Sequence, residues 1–260
     1  MRRVLLSAIL TVGLSSSVSA QETLSGEQLS ALVDKVRNFT PRDQFDAPPV
    51  QASLAGKRFS YTVEPRPIGH ATNCDAYPEW VYLPTRARLN FSWSSSLALT
   101  YALTGGNGPV FPPNMAKPRN AELMFRSFTC AKKVEPSYTA NNAFGARFTI
   151  EKWTDVVSAI ADFDPLSGRR LPSSWEAPVT GDEARALSAN ARIRVSGTLG
   201  DWWQGASVVC GLKRLEPSIQ VPWDRTTDLC LIRGRVERIE VIDQRSGATL
   251  NSQVAEPARR

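Results

Sequence analysis

The chain has 260 residues, of which 42% are hydrophobic and 22% charged, with 4 Cys and a formal net charge of +6. Its ordinary apolar content excludes a disordered tail protein and a collagen-like repeat, and its sparse cysteine excludes a disulfide-packed miniprotein. The composition is that of a soluble globular protein, and no catalytic signature stands out in it.

The first segment, residues 1–20, has the pattern of a secretory signal peptide. Arg2 and Arg3 form a basic end, residues 4–14 form an apolar run, and the small residues up to Ala20 match a signal-peptidase site. The run is too short to cross a bilayer core of about 30 Å comfortably. Cleavage after Ala20 would leave 240 residues with a net charge of +4. We therefore predict a periplasmic or secreted protein without a membrane span.

Export would place the four cysteines in a compartment where disulfides form. Cys74, Cys130, Cys210 and Cys230 are even in number, and in an oxidising compartment two disulfides are expected, with three possible connectivities. We favour Cys210–Cys230, which closes a short loop, and Cys74–Cys130, which closes a long one. The chain contains no C-x-x-C pair and a single His, so neither a metal nor another cofactor is expected.

The mature N-terminus, residues 21–55, is predicted to be a helix followed by a linker. Ser25 and Gln28 form a capping-box pattern, and apolar residues then recur at helical spacing, which predicts a helix over 26–37. Prolines punctuate the polar stretch that follows and prevent a continuous helix.

The rest of the chain is dominated by alternating apolar and polar residues, the pattern of β-strands. Two stretches resemble each other. Each leads from a cysteine, Cys130 or Cys210, through a basic strand to a Glu-Pro-Ser turn and then to a long strand that ends at a Ser-Gly turn. A second capping box, Thr180 with Glu183, predicts a helix over 181–188 before the second copy. Chance similarity is the alternative, because Glu-Pro-Ser is good turn chemistry.

The similarity of these two stretches, together with the strand patterns, predicts a mainly β protein with a few short helices. It would be built from two related small β modules. Each module would be an open barrel or a sandwich, and the alternative is a single β sandwich. The predicted boundaries are module 1 at 56–168, a linker at 169–180, module 2 at 181–250 and a C-terminal tail at 251–260.

The candidates for catalysis are weak. His70 is the only His, so any serine or histidine-metal mechanism would need it, yet it lies in a loop-like stretch and no nucleophile elbow is present. Carboxylates suit glycoside cleavage better, since that reaction needs two of them beside an aromatic-lined cleft. Asp201 and Glu79 each adjoin tryptophan in the sequence, although both acids are also expected simply to face water.

Trp202 and Trp203 are the candidate ligand-binding residues. Neighbouring residues on a strand point to opposite faces, so one member of this pair should face outward or lie at a rim. An exposed tryptophan can stack on a sugar ring or anchor a partner protein.

These observations favour an exported, disulfide-stabilised, non-catalytic β protein that binds a cell-envelope component or a protein partner. The alternatives are a secreted carboxylate-dependent hydrolase that acts on a glycan, and a structural subunit of an envelope complex. Nucleic acid is not an expected partner, because the basic pairs are scattered along the chain rather than concentrated on one element.

Overall fold

The computed structural model of the chain describes residues 22–39, 52–69, 77–93, 124–141, 144–162, 171–172, 174–202, 206–218 and 222–255. Within these ranges the protein is mainly β with two α-helices, which confirms the predicted fold class. The signal-peptide prediction, and with it the predicted localisation, falls outside the described residues.

The helices are α1 (Gly26–Arg37) and α2 (Gly181–Asn190), and a single 3-10 turn covers Pro84–Arg86. The strands are β1 (Thr23–Leu24), β2 (Arg58–Val63), β3 (Arg66–Pro67), β4 (Glu79–Leu83), β5 (Arg88–Ser92), β6 (Met124–Asn141), β7 (Arg147–Asp162), β8 (Ser174–Pro178), β9 (Ala191–Leu199), β10 (Val208–Leu215), β11 (Trp223–Asp243) and β12 (Thr249–Val254).

Both helices begin at the capping boxes that the sequence predicts. Before α1, the Ser25 hydroxyl accepts from the Gln28 backbone N–H at 3.3 Å, and the Gln28 side chain accepts from the Ser25 N–H at 2.8 Å. Thr180 and Glu183 make the same reciprocal contacts before α2. These contacts satisfy backbone donors that have no partner inside the helix, so they determine where each helix starts.

Helix α1 is fastened to the larger sheet by its apolar stripe and its last residue. Leu29 and Val33 are fully buried in the core. At the end of α1, the Arg37 guanidinium donates to Asp228 at 3.2 Å and to the carbonyl oxygen of Val157 at 2.8 Å. The helix therefore covers one face of the sheet near Val157 of β7 and Asp228 of β11.

The larger sheet has eight strands in the order β1-β2-β9-β11-β7-β6, with β10 and β12 also paired to β11. It curls into a half-barrel. Across the curl, the Tyr61 hydroxyl of β2 donates to the carbonyl oxygen of Arg126 in β6 at 2.8 Å. Strand β11 joins the two parts of this sheet. Its residues 223–234 pair with β7 in parallel orientation, and its residues 234–243 pair with β9 in antiparallel orientation.

The smaller sheet has four strands in the order β3-β4-β5-β8. Phe91 of β5 stacks on Trp175 of β8, with ring centroids 5.8 Å apart. The larger sheet combines strands from the two sides of the segment 169–180 that we predicted to be a linker, and β8 of the smaller sheet lies inside that segment. The module boundaries and the internal repeat stay predictions, because this arrangement does not show whether either side folds alone.

The two Glu-Pro-Ser segments have different structures. Strand β10 ends at Leu215, before the second copy, as a turn requires. In the first copy the strand continues: pairing with β7 shifts register between Glu135 and Tyr138, so Pro136 lies in a bulge. Proline lacks a backbone N–H for the ladder, but a bulge removes that demand and the strand resumes at Tyr138.

A glycine marks the closest approach of β9 to β11. Register between these strands shifts between Val236 and Arg238, opposite Gly197. A Cβ atom at Gly197 would lie 2.0 Å from the carbonyl oxygen of Arg235, well inside contact distance. Only glycine leaves room for the bulged strand at this point.

Candidate binding surface

Asp201, a predicted catalytic acid, supports a loop. One of its carboxylate oxygens accepts from the Leu54 backbone N–H at 2.8 Å, and the other accepts from the Ser53 hydroxyl. Its own carbonyl oxygen accepts from the Arg233 guanidinium at 3.0 Å. These contacts attach the segment before β2 to the end of β9, which is a structural use of the carboxylate.

The predicted acids are placed on different sheets. Glu79 begins β4 of the smaller sheet, opposite Ser92, whereas Asp201 follows β9 of the larger sheet. His70 lies outside the described residues. Among the side chains that the structure describes, no group of three or more His, Cys, Asp or Glu residues is arranged to hold a metal ion.

Trp202 is a core residue. Its side chain is 4% exposed, packs with Leu229 and Leu231, and donates from Nε1 to the carbonyl oxygen of Leu231 at 3.2 Å. The buried member of the predicted pair is therefore Trp202. Trp203 lies outside the described residues, so its placement stays a prediction.

The predicted disulfide between Cys210 and Cys230 is formed. The two residues are directly opposite each other in the antiparallel pair of β10 and β11, with a Cα–Cα distance of 4.1 Å. Cys130 in β6 is also disulfide-bonded. Cys74, the partner that we predicted for it, lies outside the described residues.

Among the described residues, the four-stranded region β6–β7–β11–β10 is packed on both faces at one end. Leu229 and Leu231 are buried on one face, and Cys230 and Ile232 are buried on the other. The opposite end extends beyond this core, and we call it the outer leaf. It comprises residues 132–141 of β6, 147–155 of β7, 212–215 of β10 and 223–227 of β11.

One face of the outer leaf carries a pair of tryptophans that the sequence analysis did not single out. The rings of Trp153 and Trp223 lie 6.2 Å apart, and Trp223 is 43% exposed. The Lys132 ammonium sits 4.2 Å from the centre of the Trp153 ring, a cation–π arrangement. Both tryptophans belong to runs of alternating residues, but only the pairing of β7 with β11 brings them together.

A buried ion pair next to the two tryptophans holds the Trp153 ring in place. Asp155, with a side chain only 2% exposed, accepts from the Arg225 Nε at 2.7 Å and from the Trp153 indole N–H at 3.3 Å. The indole of Trp153 is thereby held in one orientation. A surface arranged in advance loses less conformational entropy when a ligand binds.

The other face of the outer leaf is held by charged contacts. The Arg214 guanidinium makes two hydrogen bonds to Asp224, at 2.8 and 2.7 Å, and the Tyr138 hydroxyl donates to the same carboxylate at 3.3 Å. The hydrogen bonds from Arg214 hold the pKa of the Asp224 carboxyl below its usual value. A hydrogen bond from Lys152 likewise lowers the pKa of Glu135.

The outer leaf also exposes apolar side chains on both faces. The exposed set comprises Val134 at 76%, Leu212 at 63%, Leu215 at 47%, Trp223 at 43% and Tyr138 at 39%. Single exposed apolar residues are ordinary, whereas a group on one face is typical of an interaction site, and Val134, Leu215 and Trp223 share one face. The outer leaf is therefore the candidate binding surface of the described residues.

Two open grooves lie elsewhere. One of about 790 Å³ runs between α1 and β2; half of its lining residues carry hydroxyls, and the acids Glu27 and Asp34 also line it. The other, of about 560 Å³, lies beside β3 and β4, where the Arg66 guanidinium stacks 4.3 Å from the centre of the Tyr77 ring. Burial raises the pKa of Tyr77. Neither groove contains Asp201.

No protein-family model, curated protein or solved structure shows a significant match to this chain. No helix within the described ranges is long and apolar enough to span a membrane.

Proposed function

We propose that this chain is an exported, disulfide-stabilised, non-catalytic protein that binds a partner protein through its outer leaf. The observation that carries the proposal is the partly exposed pair of Trp153 and Trp223, held by the buried contact between Asp155 and Arg225. Rigid aromatic anchors of this kind dominate the binding energy at protein interfaces.

The chemistry of the surface favours a protein over a glycan. Saccharide hydroxyls need polar groups beside the aromatic rings with hydrogen-bonding capacity to spare. Here Asp155 and Arg225 bind each other at 2.7 Å, and the neighbouring Val134 and Leu215 offer apolar contacts instead. Asp155 and Arg225 hold the tryptophans in place, and Val134 and Leu215 add exposed apolar side chains to the same face.

Two further features support the proposal. A cross-strand disulfide such as Cys210–Cys230 is typical of proteins that work in an oxidising compartment, which agrees with the signal-peptide pattern of residues 1–20. Asp201 is engaged by Ser53 and Leu54, which argues for a loop-supporting role rather than for glycoside hydrolysis.

The test compares two double variants of the full chain. Trp153→Ala with Trp223→Ala removes the aromatic pair, whereas Ile68→Ala with Leu250→Ala removes apolar residues, 61% and 39% exposed, from other surfaces. A protein captured from envelope extracts is purified, and its affinity for each variant is measured by calorimetry. We expect a loss of at least about tenfold for the tryptophan variant and little change for the control.

Three results would overturn the proposal. The first is a captured protein that binds the tryptophan variant as tightly as the unaltered chain. The second is a glycan-array signal that requires Trp153 and Trp223, which would make the ligand a saccharide. The third is turnover of peptidoglycan or another polysaccharide that is lost in Asp201→Asn or Glu79→Gln.

A further inference from the structure

We propose that the groove beside β3 and β4 binds a glycan, which gives this chain a second ligand besides its partner protein. The inference goes beyond the proposed function, because the groove lies between the smaller sheet and α2 and shares no residue with the outer leaf. Its volume of about 560 Å³ falls within the range of about 300–1,000 Å³ that is usual for small-molecule sites.

The two walls of the groove come from distant parts of the chain. One wall consists of residues 64–67, which lead into and form β3, together with Tyr77 before β4 and Trp80 within it. The other wall is the last turn of α2, at Ser188 and Ala189. The groove therefore forms only when the smaller sheet and α2 have packed together.

Arg192 joins these two walls. Its guanidinium lies 3.2 Å from the Glu64 carboxylate on one wall and donates to the carbonyl oxygen of Ala189 on the other, at 3.3 Å. The first wall is also attached to β4, because the backbone N–H of Ile68 donates to the carbonyl oxygen of Trp80 at 2.9 Å. A groove whose walls are held in this way loses little conformational entropy when a ligand enters it.

Two hydrogen-bond donors at this groove are unused. Within the described ranges, no group accepts from the Trp80 indole N–H or from the Tyr77 hydroxyl, although both side chains are partly buried against the core. Indole and phenol groups usually have a partner when they are buried. Trp93, for example, donates from Nε1 to the carbonyl oxygen of Pro172 at 2.8 Å. The unused donors of Trp80 and Tyr77 therefore indicate a ligand that carries oxygen acceptors.

Tyr77 and Trp80 offer different groups to such a ligand. The Arg66 guanidinium lies 4.3 Å from the centre of the Tyr77 ring and covers one of its faces, so Tyr77 contributes mainly its hydroxyl. Burial raises the pKa of Tyr77, which keeps this hydroxyl protonated and able to donate. Trp80 adds an apolar ring, against which the C–H groups of a sugar can pack, and its N–H.

An acceptor lies beside these donors. The Glu64 side chain is 64% exposed and contacts Arg192 through Oε2, so Oε1 can accept from a sugar hydroxyl. Glu64 and Arg66, the two charged residues that line the groove, have opposite signs, so charge favours neither a polyanion nor a polycation. A saccharide combines oxygen acceptors, hydroxyl donors and apolar C–H faces in one small ligand, which matches this set of groups.

The probe is an array of neutral and anionic oligosaccharides, screened with the full chain, and the array member that binds most strongly is then titrated by calorimetry. Tyr77→Phe removes one hydroxyl and should weaken binding about fivefold, the effect of one lost hydrogen bond. Tyr82→Phe is the matched control, because it makes the same change on β4 outside the groove and should leave the affinity unchanged. Urea unfolding should show both variants to be as stable as the unaltered chain, since neither hydroxyl has a described hydrogen-bond partner.

Trp80 gives a second variant and a readout on the unaltered chain. Trp80→Phe keeps an aromatic ring, removes the N–H and should also weaken binding about fivefold. In the unaltered chain, the NMR signal of the Trp80 indole N–H should shift when the glycan is added. The indole signal of Trp93, which is already bonded to Pro172, should stay in place.

The opposite results would overturn this inference: an array without a ligand, or a glycan that binds Tyr77→Phe and Trp80→Phe as tightly as the unaltered chain. A captured protein whose binding requires Tyr77 and Trp80 would also overturn it, because the occupant of the groove would then be a protein. If the groove fails in one of these ways while a captured protein requires Trp153 and Trp223, the proposed function still stands. A glycan whose binding requires Trp153 and Trp223 would overturn both.

Discussion

Strand β11 is continuous, yet its two ends lie in different surroundings. Leu231, Ile232 and Ile239 are almost completely buried, and the sheet around them is covered on both faces. Towards the start of the same strand, Trp223 is 43% exposed, and the neighbouring acids Asp224 and Asp155 are bound by arginines. The inner end is stabilised by apolar burial, and the outer end by ion pairs and main-chain pairing.

The difference separates stability from binding. Apolar burial supplies most of the folding free energy, so the inner end can hold the sheet together without help from the outer leaf. The outer leaf can then leave Val134, Leu212 and Leu215 exposed. Its ion pairs satisfy the buried carboxylates of Asp155 and Asp224, and a buried ion pair adds little net stability compared with apolar packing. Four predictions test this separation.

The largest difference is expected from the same substitution made at the two ends. Leu231→Ala deletes a fully buried side chain and should cost about 2–5 kcal/mol, whereas Leu212→Ala alters a side chain that is 63% exposed and should change stability by less than about 0.5 kcal/mol. Urea unfolding measures both. Equal costs would show that the outer leaf is as tightly packed as the inner end.

The disulfide lies where the two regions meet. Replacing both Cys210 and Cys230 by Ala should reduce the free energy of unfolding by about 2–4 kcal/mol, because the cross-link restricts the unfolded chain. Amide exchange should also become faster in residues 212–215 than in β9. Uniform acceleration over the whole sheet would show that the disulfide stabilises both regions alike, contrary to this prediction.

The third prediction concerns the close approach of the β9 and β11 backbones at Gly197. Gly197→Ala places a Cβ atom 2.0 Å from the carbonyl oxygen of Arg235 and should cost about 1–3 kcal/mol through overpacking. Gly181→Ala is the control, because its Cβ would lie 3.8 Å from the Tyr82 hydroxyl, an ordinary contact. If thermal unfolding shows the two variants to be equally stable, β9 and β11 are less closely packed than the structure indicates.

The smallest effect concerns pH. The pKa of Asp224 and that of Glu135 are lowered in the folded state, so their stabilising contribution is complete above about pH 4 and is lost as pH falls through the folded-state values. Amide exchange, corrected for intrinsic rates, should therefore accelerate first in the outer leaf on acidification. Asp224→Asn should weaken this pH dependence. If acidification accelerated amide exchange at the inner end of β11 before the outer leaf, this prediction would be wrong.

Part of this architecture is readable from local chemistry. The capping boxes at Ser25 and Thr180 predict where both helices start, because the contacts involve residues three positions apart. Alternating residues predict a mainly β chain. The pairing of Cys210 with Cys230, which their short separation favours, is confirmed by the structure.

The candidate surface was not predictable in the same way. Trp202 and Trp203 attract attention because they adjoin in sequence, yet Trp202 is buried against Leu231. Trp153 and Trp223 lie far apart in sequence, and they meet only because β7 and β11 pair in parallel. Strand periodicity assigns each residue to one face of its own strand but does not identify the neighbouring strand.

The sequence by itself determined the elements whose causes are local: the two helix starts, the β character, one disulfide and the expectation of export. Tertiary structure alone decided which ends of the strands are covered and which stay exposed. The reason is physical, because burial of a side chain depends on residues that arrive from distant parts of the chain. Leu231 and Leu212 are the same residue type, and only the layers packed over Leu231 make one of them core and the other surface.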